Sequence, residues 1–378
     1  LSTKPSITAQ TMLQAATESA RGIFVLRFIG LEREDVLAAM LKAPEESLET
    51  CLQWCLDAMK ELNAKRLDST VTIYAFLTRV SVLTALLEKA DLSNDDLKNI
   101  LKAEVFHFEL AQERCHPLSP TTLVSLLGSI GRTWVIGYNN DLERLTTNLS
   151  EHILSHAHHT VIHGNILTNT VKILQSGSGA NILLLGRTGT GKRTLVRNIA
   201  YALRSHEIEH SSPFTDVLML KTSLLLSGSG QSDAALLHAL SDAKLGGRFI
   251  LVIEDISMLL KAADARLKNI LVTILQAKNI RTICIAETAD YHILIKTDPL
   301  LDALLQKNFV EETEDSETMQ VLLEEYFRLG HRHRISMSYK ALTSLLSLCK
   351  RYIAKGGLPG KAIDILDEAL LTAKAGGA

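Results

Sequence analysis

One glycine-rich stretch constrains the fold of this chain more than any other. The apolar residues Ile182–Leu185 run into a loop with glycines at positions 186, 189 and 191, and Lys192 opens a segment with apolar residues at helical spacing. A strand, a glycine loop and a helix in this order form a P-loop, in which backbone N–H groups and the helix N-terminus bind phosphate. The alternative is a strand–helix turn that holds glycines and a lysine without a ligand.

The P-loop motif is intact except at one position. Lys192 stands where the P-loop lysine reaches the terminal phosphates, but the next position normally holds Ser or Thr, whose hydroxyl ligates Mg²⁺. Arg193 occupies that position, and the threonine follows one residue late. This substitution weighs against hydrolysis rather than against phosphate binding. We expect nucleotide contacts from the whole loop: Gly186, Arg187, Thr188, Gly189, Thr190, Gly191, Lys192, Arg193 and Thr194.

An acidic pair follows the apolar run Phe249–Ile253. Because ligands bind at the carboxyl ends of parallel strands, we expect Glu254 and Asp255 to lie near the phosphate loop as catalytic residues. In a P-loop ATPase the first carboxylate, usually Asp, holds Mg²⁺ through water, and the second, usually Glu, polarises the attacking water. Here the order is inverted, and a misplacement of about 1 Å can cost ~100-fold in rate. The alternative is a pair that caps the next helix.

The apolar patterns divide the 378 residues into four segments. We predict a helical domain over 1–110, a linker with a helix over 111–150, an α/β nucleotide-binding domain over 151–310 and a small helical domain over 311–378. A helix is expected from Asp141 to His163. The fold class is α/β, with a parallel sheet between helices. The expected strands are Ile182–Leu185, Val217–Leu220, Phe249–Ile253, Thr282–Ala286 and a short Phe309–Val310.

Composition narrows the classes of partner. The net charge of −2 gives no reason to expect nucleic acid, and no apolar run approaches the ~20 residues of a membrane-spanning helix. Five scattered cysteines favour a reducing compartment, so we expect a cytoplasmic protein. The pairs His152/His156 and His159/His163 are spaced to offer two imidazoles to a metal, but no carboxylate or thiolate cluster accompanies them. A solvated helix end is the preferred interpretation.

These motifs together resemble the Clp ATPase family of AAA+ proteins, specifically the N-terminal domain and first ATPase module of its two-ring unfoldases and disaggregases. The similarity is carried by Gly186–Val196, Phe249–Asp255, Ala289–Asp298 and the segment from Arg351 through Leu358-Pro-Gly-Lys to Ala369. The resemblance implies an AAA+ large domain, a small helical lid domain and a helical N-terminal domain. It also implies an adenine pocket at Val161 and Ile162, lid contacts from Val321 and Ile363, and Lys361 near the second-sensor position.

Several positions depart from the family pattern. Its arginine fingers correspond to Ala303-Leu304-Leu305, which carry no cation, and its first sensor falls near Ala286-Glu287-Thr288, with Thr288 as the candidate. The pore loop, aromatic in the family, corresponds to the polar stretch 227–233. An arginine finger is typically worth ~10³–10⁵ in turnover, so these changes indicate a module that retains nucleotide but hydrolyses it weakly or not at all.

The sequence therefore predicts an ATP-binding, Clp-like AAA+ protein of the chaperone or unfoldase type. The expected ligands are ATP or ADP, with Mg²⁺ as a further candidate that Glu254 would hold through water. The resemblance implies a ring, expected to be a hexamer, of this chain or related AAA+ subunits. Protein clients or adaptors would bind through the N-terminal domain, without nucleic acid or membrane insertion. Two alternatives stay open, an active ATP-hydrolysing unfoldase and a nucleotide-independent interaction protein.

Overall fold

The structure is a computed structural model, which describes residues 8–44, 46–115, 144–149, 162–175, 181–204, 216–226, 249–262, 264–277, 280–333 and 335–375. The chain divides into two compact units. The first combines Leu1–Cys115 with Asp315–Ala354 and Lys361–Ala378, and the second combines His116–Glu314 with Lys355–Gly360. The four predicted segments therefore do not map one to one onto compact units, and the domain assignment stays a prediction.

The first unit is helical, as the spacing of its apolar residues predicts. Side-chain caps fix several helix starts, because Ser19, Ser47, Asp68 and Ser338 each accept a hydrogen bond from a backbone N–H of the first turn. The helices are Ala9–Glu18, Ala20–Ile29, Arg33–Met40, Leu48–Leu62, Ser69–Arg79, Ser81–Lys89, Asn94–Cys115, Asp315–His333, Tyr339–Tyr352 and Gly360–Ala375, the last of which begins at the boundary between the units.

An aromatic cluster joins the N-terminal helices of this unit to its C-terminal helices. The ring of Phe28 stacks on Tyr326 with centroids 4.9 Å apart and lies 5.5 Å from Phe327 and 6.3 Å from Tyr339. The Tyr339 hydroxyl donates to Asp96 at 3.1 Å, and burial together with this carboxylate raises the pKa of Tyr339. Helices far apart in sequence therefore share one core.

A half-buried ion network ties three helices of the same unit together. The Arg21 guanidinium makes two hydrogen bonds to Glu104, at 2.6 and 2.7 Å, and a further ion pair with Asp68. The Thr70 hydroxyl donates to the same Glu104 carboxylate at 3.0 Å. Glu104 is 8% exposed, so its charge depends on these partners for compensation.

The second unit is built around a six-stranded sheet in the order β1-β3-β4-β5-β2-β6. The strands are β1 Thr146–Asn148, β2 Asn181–Gly186, β3 Asp216–Leu220, β4 Phe249–Ile253, β5 Arg281–Glu287 and β6 Leu305–Phe309. All pairings are parallel except that of β1 with β3. Apolar residues of β2 and β4 point alternately into two separate cores, which confirms a sheet buried on both faces.

Helices flank this sheet and connect its strands. Leu195, Val196 and Ile199 of the helix after β2 are fully buried against one face, while Ile256, Leu267 and Leu271 pack on the other. The helices are Gly164–Gln175, Lys192–Arg204, Thr222–Leu226, Ile256–Lys261, Ala265–Gln276, Thr288–Asp290 and Pro299–Leu304, with a short π-helix at Tyr291–Ile295.

Two expectations about this unit were wrong. The helix predicted from Asp141 to His163 is interrupted by strand β1, because Thr146 and its β-branched neighbour fit an edge strand and pair antiparallel with Leu220 and Met219. The last strand covers Leu305–Phe309 rather than Phe309–Val310, although the Val310 N–H still donates to Leu185 O at 2.6 Å. Most of 150–161 and the helix expected near 121–130 lie outside the described residues.

The described thiols of Cys51, Cys55, Cys284 and Cys349 are free and buried, and burial raises the pKa of each.

In the described ranges no single helix is long and apolar enough to cross a membrane. The helices Ser69–Arg79 and Ser81–Lys89 would together be long and apolar enough, but the chain bends by 95° at the break between them.

The ion network yields a stability prediction. Arg21→Met removes the cation and leaves Glu104 without its main partner, so we expect the free energy of unfolding to fall by about 3–5 kcal/mol. Arg33→Met is the matched control, because Arg33 and Glu18 form a pair in which both side chains are more than 40% exposed. The control should change stability by less than about 1 kcal/mol. Urea unfolding followed by circular dichroism measures both, and equal losses would contradict the prediction.

Candidate phosphate-binding site

The loop between β2 and the following helix has the backbone conformation that a phosphate cradle needs. Gly189 and Gly191 adopt positive φ angles of 89° and 86°, which L-residues with side chains rarely adopt. At Gly186 a Cβ atom would lie 2.3 Å from the Val310 carbonyl oxygen. Helix Lys192–Arg204 begins directly after the loop, so its first N–H groups and its positive dipole end belong to the same site. The predicted strand–loop–helix arrangement is confirmed.

Side chains of the loop donate hydrogen bonds to the loop's own carbonyl groups. The Lys192 ammonium donates to Gly186 O at 2.7 Å and to Arg187 O at 2.6 Å, and the buried Thr190 donates its hydroxyl to Arg187 O at 3.0 Å. Burial lowers the pKa of Lys192, Arg193 lowers it further, and the carboxylates of Glu287 and Asp255 oppose both effects. A phosphate anion on the loop would satisfy this ammonium in place of the two carbonyls.

The two carboxylates that follow β4 have different partners. Glu254 forms an ion pair with Arg193, the residue at the position of the missing hydroxyl. Asp255 caps helix Ile256–Lys261, accepting a hydrogen bond from the Met258 N–H at 3.2 Å. The capping alternative considered from the sequence therefore holds for Asp255, while Glu254 lies beside the phosphate loop. Whether either carboxylate takes part in catalysis stays a prediction.

Glu287 is a site residue that sequence reasoning missed. It ends β5 directly opposite Gly186 in the parallel register of β2 and β5, and its carboxylate accepts a hydrogen bond from the Thr188 hydroxyl at 2.5 Å. Thr288, the sequence candidate for this position, begins helix Thr288–Asp290 instead. The available signal was that Glu287 is the first charged residue after the apolar run of the strand that neighbours β2.

A segment far along the chain also contacts the loop. Within the second unit, the N–H groups of Gly357 and Gly360 donate to Thr188 O and Gly189 O, each at 2.8 Å. A Cβ on Gly360 would approach Gly189 Cα to 2.6 Å, so the two backbones meet too closely for a side chain. Arg187 is held from the same side by an ion pair with Glu312 at 3.0 Å. The Leu358-Pro-Gly-Lys signature is therefore partly a packing surface for the phosphate loop.

Ile162 and His163 border the other side of the loop. Ile162 is buried, and its Cδ1 lies 3.9 Å from where a Cβ on Gly191 would stand. His163, expected at a solvated helix end, is instead half-buried, with Nε2 3.0 Å from Thr190 O. Val161, His152, His156 and His159 lie outside the described residues. Among the residues that are described, no group of three His, Cys, Asp or Glu side chains could hold a metal ion.

The remaining predicted contacts lie in the first unit. Val321 is buried in helix Asp315–His333, and Ile363 and Lys361 lie in helix Gly360–Ala375, where the Lys361 ammonium donates to Ile353 O at 3.2 Å. Their part in nucleotide binding stays a prediction. The polar stretch 227–233, predicted as a pore loop, is not among the described residues.

Comparison with known proteins agrees with this geometry. Residues 182–312 match the family described as "ATPase family associated with various cellular activities (AAA)", and residues 314–377 match the "AAA lid domain". The S. cerevisiae Hsp104–ADP complex superposes with a TM-score of 0.58 at 20% identity, covering 62% of this chain and 42% of that one. This structural likeness concerns the fold.

Sequence relatives indicate which group of AAA proteins the chain resembles. It is 29% identical over 210 residues to chaperone protein ClpB of Aquifex aeolicus, a match that covers 54% of this chain and 21% of that protein. It is 28% identical over 260 residues to the "ATP-dependent Clp protease ATP-binding subunit ClpA homolog" of Cyanidium caldarium, covering 67% of this chain and 30% of the relative. The chain thus spans less than a third of either relative. The AAA and AAA lid matches together with these relatives support a Clp-type ATPase of the AAA+ class.

Proposed function

We propose that this chain binds ATP or ADP at the loop 186–194 and retains it with little or no hydrolysis. One observation carries the proposal: the phosphate cradle keeps its backbone geometry, while the residue at the metal-ligand position is an arginine paired with Glu254. Nucleotide would then stabilise the folded module and its assembly rather than drive a cycle.

Support for binding comes from the backbone and from Lys192. Gly189 and Gly191 have positive φ angles, and successive backbone N–H groups in such a turn conformation can form an anion-binding nest for phosphate. The Lys192 ammonium already lies over the loop, where it donates to the main-chain carbonyls of Gly186 and Arg187. Ile162, which the family resemblance places at the adenine pocket, lies next to Gly191 of the loop.

Support for weak turnover comes from three side-chain positions. Arg193 has no acceptor atom with which to ligate Mg²⁺, and Asp255 is engaged in a helix cap. The segment 303–305 has no arginine to stabilise the charge that develops on the transferred phosphoryl group. Each departure alone would lower the rate of ATP hydrolysis. Together they remove the metal ligand, a free carboxylate and the cation that would stabilise the transition state.

Assembly and partners are extended to this chain from its relatives. One curated relative is named as the ATP-binding subunit of an ATP-dependent Clp protease, and one similar solved structure is titled as Hsp104 with ATPγS and FITC-casein. We therefore propose a ring, a hexamer, of this chain or related subunits, acting on protein clients in the cytoplasm. The buried free thiols are compatible with that compartment.

A second candidate function is nucleotide-independent protein binding by the N-terminal helices. Leu48, Leu52 and Leu56 repeat every four residues along helix Leu48–Leu62 and are 38%, 41% and 54% exposed. An exposed apolar stripe of this kind is typical of a docking surface. Under this alternative, ADP and ATP would leave the melting temperature unchanged.

Nucleotide content measured beside turnover tests the main proposal. We expect the purified chain to bind ADP in calorimetry and to release phosphate from ATP no faster than background. Lys192→Met should weaken ADP binding about 10–100-fold, because it removes a charge-assisted contact to phosphate. Lys172→Met, an exposed lysine in helix Gly164–Gln175, is the matched control and should bind normally. Robust turnover by the unmodified chain would refute the proposal.

Restoring the missing groups should raise hydrolysis. The double variant Arg193→Thr with Leu304→Arg supplies a hydroxyl at the metal-ligand position and a cation at the arginine-finger position. We expect its phosphate release with Mg²⁺ to exceed that of the unmodified chain at least ~10-fold, a small part of what an arginine finger typically contributes. Arg197→Thr with Leu304→Arg is the control, because Arg197 is one helical turn away from Arg193. A rise in the control alone would contradict the assignment of position 193.

A further inference from the structure

The residue at the metal-ligand position of the phosphate loop is itself a cation. A P-loop Ser or Thr at position 193 would offer a hydroxyl oxygen to Mg²⁺. Arg193 offers a guanidinium, which has five N–H donors, no acceptor and a permanent charge. Thr194 does not replace the hydroxyl, because successive residues of an α-helix lie about 100° apart around its axis.

Three carboxylates at this edge of the sheet each have another partner. Glu254, which follows β4 directly, is engaged by the Arg193 guanidinium, and Asp255 accepts the Met258 N–H as a helix cap. Glu287 accepts a hydrogen bond from the Thr188 hydroxyl. A magnesium ion at this position would have to displace Arg193 from Glu254 and then lie beside a like charge. These residues therefore do not fit the Mg²⁺ that usually accompanies nucleotide in a P-loop.

Arg193 can nevertheless supply what the ion contributes to binding. Bound Mg²⁺ neutralises phosphate charge, and an arginine does the same through bidentate hydrogen bonds to phosphate oxygens. The Arg193 side chain is 71% exposed, whereas Glu254 is 29% exposed, so the guanidinium is reachable from the loop while its carboxylate partner positions it. Lys192 precedes it directly, which places two cations at the helix N-terminus.

We propose that the Arg193–Glu254 ion pair takes the place of the magnesium ion, so that this site binds ADP without a divalent cation. The inference rests on the proposed nucleotide-binding function and specifies that the ligand is metal-free ADP. In this site Arg193 contacts the phosphate, and Glu254 is a positioning residue that holds the guanidinium over the start of the helix.

Calorimetric titration of the full chain with ADP, once in excess EDTA and once in excess MgCl₂, tests the proposal. We expect dissociation constants that agree within about twofold, because the cation required is part of the chain. Binding that is at least ~10-fold tighter with MgCl₂ would overturn the inference and leave the proposed function standing. Absence of binding under both conditions would overturn both.

Substitutions in the ion pair test the roles of Arg193 and Glu254 separately. Arg193→Thr should weaken ADP binding in EDTA about tenfold or more, and MgCl₂ should recover part of the loss, because the new hydroxyl can ligate the metal. Arg197→Thr, on the same helix and exposed, should leave both dissociation constants unchanged. If Arg193→Thr binds ADP in EDTA as tightly as the unmodified chain, Arg193 does not contact the phosphate and the proposal fails.

Two variants of Glu254 distinguish positioning from metal binding. If Glu254 orients Arg193, Glu254→Ala should weaken ADP binding in EDTA at least about threefold, whereas Glu254→Gln, which keeps an acceptor oxygen, should lose less, and neither should respond to MgCl₂. If Glu254 instead holds a metal through water, the unmodified chain would bind more tightly with MgCl₂ and both variants would lose that gain, contrary to the proposal. Melting curves without ligand establish that each variant is folded.

Discussion

Strand β2 is paired on both sides, with β5 and with β6, and this double pairing fixes the place of the phosphate loop. Residues 182–186 align with 283–287 of β5, and residues 181–185 align with 305–309 of β6. Its side chains from Ile182 to Leu185 are fully buried, so the strand cannot slide by one residue without exchanging the two cores. The register therefore brings Gly186 beside Glu287 and the Val310 carbonyl, and the loop starts from a rigid point.

From that point the site depends on how buried and half-buried charges compensate one another. Lys192 loses solvation on the loop, and nearby carboxylates offset part of that cost. Arg193 is matched by Glu254 and Arg187 by Glu312, so the loop carries its cations in pairs with carboxylates from neighbouring elements. Such pairing limits the repulsion among the three cations of the loop.

The sequence predicted the parts of this arrangement that local pattern determines. Apolar runs located β2 to β5, and glycine spacing located the loop, because strand burial and positive φ angles leave strong residue signatures. Glu287, Glu312 and the glycines at 357 and 360 could not be found in this way, since their role arises from register and from packing between distant segments. The short strand β1 was missed because three residues paired at a sheet edge carry too little pattern to outweigh a helical neighbourhood.

Binding and hydrolysis place different demands on such a loop, and the proposed function depends on this difference. Binding draws mainly on backbone geometry and on one ammonium group, both of which the loop 186–192 retains. Hydrolysis needs side chains placed to within about 1 Å at several separate positions. Substitutions at 193, 254, 255 and 303–305 alter those side chains without disturbing the glycines that shape the cradle. A ligand held at 100 times its dissociation constant still stabilises the folded state by about 2.7 kcal/mol. Under the proposed function, nucleotide would therefore act as a structural component of the fold without being hydrolysed.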